Sequence, residues 1–415
     1  MNITPLLILQ YSVYFVSLYF SVFWILVYLE EEKTPPKKNK RQPQVTIAIP
    51  AYNEEKTIAK TIESALNIDY PTNKLEIIII NDGSTDQTKK RVQPYLKHSH
   101  VRLINQKNQG KGPALNAAVK QAKGEYFVCL DADSEVEPDA LKELLTHFTD
   151  DNIAVVLPVM KIKNDVPLNL LGKLQWYEYL INVFFKKIMS KLDCVHVAPG
   201  PFSVYKKSIL EEVGYFAKDN LTEDLEMTIR LQKRNYRIIQ SLGGVVYTNA
   251  MPTIKTYLAQ RNRWFKGGVI NAVFYKKMLF NKQWGDFGIM QLPILIVSGI
   301  ISLVLVGTLL YEFLEPIVTH AIQMGLVNFD FLTFLRTIEF DIILLDLSAA
   351  SITLLLVMFT LSILFLRLAT YYTNEKIFTY NPLIVCTYLI FYFFLLALTW
   401  AVVVKDLATR KIQRW

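Results

Sequence analysis

Leu6 to Leu29 is an almost unbroken apolar run with no charged side chain. At about 20 residues per crossing, a run of this length reads as a transmembrane helix. It has neither the basic start nor the short apolar core and small-residue cleavage site of a signal peptide. Three further runs of spanning length lie near the other end: Met290 to Tyr311, roughly Ile342 to Leu366, and Leu383 to Val404. Residues 45–284 between them carry charges throughout. With 52% hydrophobic residues in 415 and a mean hydropathy of +0.23, the chain is too apolar for an ordinary soluble enzyme. The expected layout is a span over 1–30, a basic linker over 31–44, a globular domain over 45–284, a bundle over 285–405 and a basic tail over 406–415.

Orientation follows from the flanks. Lys33, Lys37, Lys38, Lys40 and Arg41 follow the first run, while Met1 to Tyr19 has no charged side chain. Positive flanks stay cytoplasmic, so the expected product is a multi-pass plasma-membrane protein with its globular domain in the cytosol. Glu312 and Glu315 read as an outer loop. Four spans would leave the tail outside, yet Lys405, Arg410, Lys411 and Arg414 place it inside. Either the charge rule fails here or residues 312–345 hold another crossing, in which case Asp341 and Asp346 need partners. The net charge of +8 is spent at membrane flanks and at Lys186-Lys187, which suits anionic lipid and not nucleic acid. Cys129, Cys194 and Cys386 are scattered, with no disulfide framework, as a reducing compartment allows.

Within the domain, apolar strand-like runs alternate with helical stretches. Val45 to Pro50, Leu75 to Ile80, Val101 to Asn105 and Tyr126 to Asp133 read as strands; Thr57 to Ala65, Thr88 to Leu96 and Pro113 to Ala122 read as helices. That alternation predicts an α/β domain with a mostly parallel sheet covered on both faces. Ligands of such sheets sit beyond the C-terminal strand ends. Four polar clusters fall there: Tyr52 to Glu55, Asp82, Gly110-Lys111-Gly112, and Asp131 with Asp133. Asp131 and Asp133, one residue apart on a strand, would share a face, where a hard cation clamping a diphosphate would relieve their repulsion. Each cluster also has a plain reading as a turn, a cap or a solvated loop. No Gly-x-x-x-x-Gly-Lys-Ser/Thr run and no strand-linked Gly-x-Gly-x-x-Gly run is present, which disfavours a P-loop ATPase and a dinucleotide dehydrogenase.

Thr222-Glu223-Asp224 opens a helix, with Thr222 as its N-cap and acids at its positive end. Those acids also provide a general base if a substrate hydroxyl lies above them. Gln260, Arg263 and Trp264 share a helix face suited to phosphate and a sugar ring. Two amphipathic stretches, near 168–190 and 253–280, read as helices lying on the membrane. In the first, Gln175, Glu178, Asn182 and Lys186 make one polar stripe; a buried core helix is the alternative for either.

In order, Ile49-Pro50-Ala51-Tyr52-Asn53-Glu54, Asn81-Asp82-Gly83-Ser84, Gly110-Lys111-Gly112, Asp131-Ala132-Asp133, Thr222-Glu223-Asp224 and Gln260-x-x-Arg263-Trp264 resemble the motifs of the membrane-integrated, processive family 2 glycosyltransferases. The single N-terminal span and C-terminal bundle are most similar to the poly-N-acetylglucosamine synthases among them. Hyaluronan and cellulose synthases are more distant, since Thr-Glu-Asp stands where the former carry Gly-Asp-Asp, and the cellulose-type Phe-x-Val-Thr-x-Lys run is absent.

The resemblance implies a GT-A fold inserted between transmembrane helices, a UDP-sugar donor (UDP-GlcNAc or UDP-Glc) and Mg²⁺ or Mn²⁺. It implies that Asp82 contacts the base beside Tyr52 and Glu54, that Lys111 and Asp131 face the donor, and that Asp133, with Asp131, meets the metal. It makes Asp224, next to Glu223, the general base. Gln260 and Arg263 would meet the diphosphate, and Trp264 with the Gly200-Pro201 loop the acceptor. The implied reaction is inverting transfer to a growing polysaccharide in contact with membrane lipids; the need for an accessory subunit stays open. A glycolipid synthase resembling ceramide glucosyltransferase, with a lipid acceptor, is the alternative. A non-catalytic scaffold that retains the fold is a third reading.

Overall fold

The computed structural model describes residues 5–30, 41–164, 167–326 and 349–409. In chain order the elements are α1 (Pro5–Leu29), β1 (Val45–Ala51), α2 (Ile58–Leu66), β2 (Leu75–Asp82), α3 (Thr88–Val92), β3 (Val101–Gln106), α4 (Lys111–Val119), β4 (Tyr126–Cys129), β5 (Glu135–Val136) and α5 (Ala140–Leu145). They continue with β6 (Ile153–Ile162), α6 (Leu170–Lys191), β7 (Ser203–Lys206), α7 (Lys207–Val213), α8 (Glu223–Lys233), β8 (Arg237–Thr248) and α9 (Ile254–Phe274). Three long helices follow: α10 (Leu292–Leu326), α11 (Ala349–Tyr372) and α12 (Pro382–Ala408).

The eight strands form one sheet in the order β3-β2-β1-β4-β7-β6-β8-β5. The first four are parallel, as the alternation predicts. The other half departs from it: β7 runs antiparallel between β4 and β6, and β5 antiparallel to β8. Alternate residues of the parallel strands serve two cores. Ile47, Ile49, Ile77 and Ile79 pack with Ile58 and Ile62 of α2. Ala48, Ile78 and Ile80 pack with Ala114, Leu115 and Ala118 of α4 on the other face. Burial on both faces is why these strands read as continuous apolar runs.

Several elements differ from expectation for identifiable reasons. The helix at Thr88 gives way to a 3₁₀ turn at Gln93–Lys97, because Pro94 has no amide hydrogen to continue it. Strand β4 ends at Cys129, so Asp131 and Asp133 sit in the following turn and not on the strand. Glu312 and Glu315 lie within α10 and not in a loop. The start of the Ile342 to Leu366 run, with Asp341 and Asp346, lies outside the described residues, and α11 continues past the expected end to Tyr372.

Three described segments are long and apolar enough to cross a membrane: Tyr11–Leu29, Phe287–Thr308 and Pro382–Ala408. They flank the domain on both sides in sequence. Helix α6 ties α1 and α11 to it. Its Phe184 and Phe185 meet Phe365 of α11, and Lys191 donates to the carbonyls of Val27, Tyr28 and Glu30 at the end of α1. That ammonium satisfies acceptors the end of α1 would otherwise leave open. The upper part of the polar stripe of α6 is buried and not solvated: Gln175 bonds the backbone of Met251, and Glu178 pairs with Arg261.

Candidate active site

The loops after β1 and β2 are stitched together before any ligand arrives. Asn53 adopts a left-handed backbone (φ 56), and its side chain accepts from the Thr85 amide at 2.8 Å. Glu54 and Glu55 amides donate to Thr88 and Asp86. Tyr52 stands exposed at the rim. Asp82 is 3% exposed, and both its oxygens accept from protein donors: Gln106 Nε2 at 2.7 Å, and the Gln109 and Gly110 amides at 3.0 and 2.8 Å. It therefore shapes the loop ahead of Lys111.

Lys111 is the first residue of α4 and not a loop residue. Its Nζ lies 2.5 Å from Asp131 Oδ1 and 3.7 Å from Glu223 Oε1. Burial alone would lower the Lys111 ammonium, but Asp131, Glu223 and Asp224 together hold it above its ordinary value. Gly200 covers this pair: a Cβ there would stand 2.3 Å from Lys111 Nζ. Pro201 is buried beside it, followed by Phe202 in a left-handed conformation.

The turn after β4 is held by its backbone. Thr61 donates to the Ala132 carbonyl, while Lys163 and Asn249 donate to that of Asp133. Burial and then the neighbouring Asp131 raise the Asp133 carboxyl. Burial also raises Glu54, and the charges of Asp133 and Asp131 add to it, against the Thr57 hydrogen bond. No group of three or more candidate ligand side chains is found among the described residues. A hard cation shared with a diphosphate needs only one or two carboxylates. Asp131 is already paired with Lys111, so Asp133, whose charge is poorly compensated, fits that role, with Glu54 nearby.

Thr222 takes the N-cap position of α8, but its hydroxyl makes no cap bond; Oγ1 accepts instead from Asn271 Nδ2 of α9 at 3.1 Å. Asn271 also exchanges hydrogen bonds with Asn220. Gly267 lets α9 come this close, since a Cβ there would stand 2.5 Å from Thr222 Oγ1. The two acids that follow are displaced upward in pKa. Burial pushes Glu223 to about 7, with Lys111 opposing and Asp224 adding. Burial likewise raises Asp224, against Lys111, the Leu225 amide and Arg263. Arg263 thus lies within electrostatic reach of Asp224.

Gln260 and Trp264 are organised by a residue the sequence reading passed over. Arg261, fully buried, binds Glu178 through Nε at 3.0 Å and through Nη2, donates to Gln260 Oε1, and lies over the Trp264 ring at 4.2 Å. Its only signal in sequence is its place inside the Gln260 to Trp264 run. Lys186, expected against lipid, lies within electrostatic reach of Asp224; burial lowers its ammonium to about 8, Asp224 opposing.

This cluster of acids, one lysine and one arginine gathers beyond the C-terminal ends of the parallel strands, within and just after a family 2 glycosyltransferase domain, since residues 46–214 match Glycosyl transferase family 2. The chain is similar to poly-beta-1,6-N-acetyl-D-glucosamine synthases. That of Staphylococcus epidermidis is 32% identical over 267 residues, 61% of this chain and 64% of the relative. That of Staphylococcus aureus is 33% identical over 263 residues, 61% and 63%. The alignment thus spans under two thirds of these relatives. In fold, the chain resembles a mannosyltransferase from Pyrobaculum calidifontis, solved with GDP-Man and Mn²⁺, at a TM-score of 0.61 and 20% identity, covering 89% of this chain and 97% of that one.

Proposed function

We propose that this chain is a membrane-bound inverting glycosyltransferase that extends a polysaccharide from a UDP-sugar, with UDP-GlcNAc as donor. The supporting observation is the meeting of Lys111, Asp131, Glu223 and Asp224 at one point, 2.5 and 3.7 Å apart where they pair. The similarity to poly-N-acetylglucosamine synthases supports the choice of polymer and donor.

In this reading the exposed Tyr52 ring and the loop shaped by Asp82 receive the base. Lys111 and Arg263 offset the negative charge that develops on the leaving diphosphate. A divalent cation held by Asp133, with Asp131 and Glu54 beside it, would supply further charge stabilisation there when bound. Asp224 takes the proton of the acceptor hydroxyl, since its carboxylate accepts, among the described hydrogen bonds, only from the Leu225 amide. Glu223 is drawn toward Lys111 and supports the charge balance. Trp264, held flat by Arg261, offers a face to the acceptor sugar. The apolar helices α1 and α10 anchor the enzyme in the plasma membrane with this domain on the cytosolic side.

The test is the purified chain in lipid nanodiscs with Mg²⁺ or Mn²⁺ and a panel of radiolabelled UDP-sugars. A water-soluble, high-molecular-weight ladder from UDP-GlcNAc supports the proposal. A single organic-extractable product that needs added lipid makes it a glycolipid enzyme and removes the polymer reading.

A further inference from the structure

Helix α9 is held from two sides. Toward the site, Gly267 lies against Thr222, and Asn271 bonds Asn220 and Thr222. At 3.6 residues per turn, Asn262 and Lys266 fall on the opposite face. Both donate to Asp406 Oδ2 near the end of α12, at 2.8 and 3.0 Å. All three residues are buried. Along the same seam Phe265 stacks on Trp400 at 5.0 Å, and the Tyr257 and Tyr392 hydroxyls share a hydrogen bond of 2.8 Å. Trp400 is itself pinned, because a Cβ on Gly299 of α10 would stand 2.5 Å from its ring.

Apolar contacts would suffice to join two helices. Burying a charge pair in that seam costs desolvation, and such pairs are best understood where they fix register. We propose that Asp406 is a positioning residue of the transfer site: through Lys266 and Asn262 it sets the rotation and advance of α9, and so where Arg263 and Trp264 stand relative to Asp224. Asp406 touches no substrate. The inference rests on the proposed function in one respect, that α9 carries groups facing diphosphate and acceptor.

The experiment uses the full chain in nanodiscs. Asp406→Asn keeps shape and an acceptor for Asn262 but removes the charge. The expected result is a kcat lowered by about tenfold or more per folded molecule, as misplacement of reacting groups produces. The donor KM and the equilibrium binding of UDP should stay within about threefold. If that variant does not fold, Asp406→Glu retains the charge while displacing the carboxylate, and the same kcat loss is expected. Wild-type turnover per folded molecule in a folded variant overturns the proposal, and failure of both to fold overturns it too, making Asp406 a purely structural residue. Arg263→Ala separates the two levels. If it turns over normally, the assignment of α9 has failed; if it is inactive while the Asp406 variants are normal, only the positioning role has failed.

Discussion

Lys111 Nζ lies 2.5 Å from Asp131 Oδ1, and the backbone of Gly200 closes over both. A Cβ at position 200 would stand 2.3 Å from the nitrogen and 2.6 Å from that oxygen. Gly200→Ala must therefore separate the pair or push the 199–202 loop away. Overpacking of this kind costs about 1–3 kcal/mol, or roughly ten- to hundredfold in rate if it falls on the transition state. Steady-state rates set beside UDP binding will show it; a wild-type rate would mean that the ion pair has no part in turnover as it stands.

Asp224 and Glu223 adjoin in sequence but differ in surroundings. Glu223 is drawn to Lys111, while Asp224 feels Arg263. Asp224→Asn should lower kcat by roughly 10²- to 10⁴-fold, the usual worth of a positioned general base, with UDP binding retained. Glu223→Gln should cost less and act mainly through Lys111. Equal losses in the two variants would argue against a single base.

The same burial makes the site sensitive to pH. Glu223 is raised to about 7 by burial, and Asp224 is raised in the same direction for the same cause. A base must be ionised, so kcat/KM should fall on the acid side as Asp224 takes up its proton, at a higher pH than an ordinary aspartate would. Stability moves the opposite way. A carboxyl whose folded value is raised stabilises the fold fully below its unfolded value, and that contribution is lost as pH rises through the folded one. A rate profile across neutrality that stayed flat on its acid side would refute the assignment.

Asp133 has its main chain fixed by Lys163 and Asn249 and its carboxyl crowded by Asp131. Asp133→Asn should weaken Mn²⁺ binding in the presence of UDP by at least about tenfold, since a hard cation here draws on few protein ligands. Isothermal titration with Mn²⁺ and UDP measures it. Chelation should abolish turnover of the wild type, and added Mn²⁺ should restore it. Unchanged Mn²⁺ affinity in Asp133→Asn would move the cation site elsewhere.

What could be seen in sequence was whatever depends on neighbours along the chain. Strands β1 to β4 were visible because burial on both faces leaves unbroken apolar runs, and their polar ends marked the edge where the candidate site residues gather. Antiparallel β7 is only Ser203–Lys206, too short for a period to declare its direction. The stripe of α6 was correctly a face, but periodicity does not say what lies against a face. Glu178 meets Arg261, 83 positions away, so that stripe is occupied by protein where water was expected. Asp406 was invisible for the same reason: its partner Lys266 stands 140 positions back.

Both ends of α12 contact the domain, and that bears on which side the tail lies. Just before its start, Tyr380 donates to Asn164 at 2.9 Å and meets Trp176; near its end, Asp406 holds Lys266 and Asn262. Its 27 residues span about 40 Å at 1.5 Å each. A helix of that length touching one domain at both ends lies along it and does not stand away from it. The basic tail, with Arg410, Lys411 and Arg414, should then share the domain's side, in agreement with the positive-inside rule. The measurement is labelling by a membrane-impermeant maleimide in intact cells and in inverted vesicles. Thr409→Cys would be placed in a Cys386→Ser background, with Ser99→Cys marking the domain. Labelling of both positions in the same preparation alone is the expected outcome. Labelling of position 409 from the opposite side would make α12 a true crossing and its contacts with α9 a feature of some other arrangement.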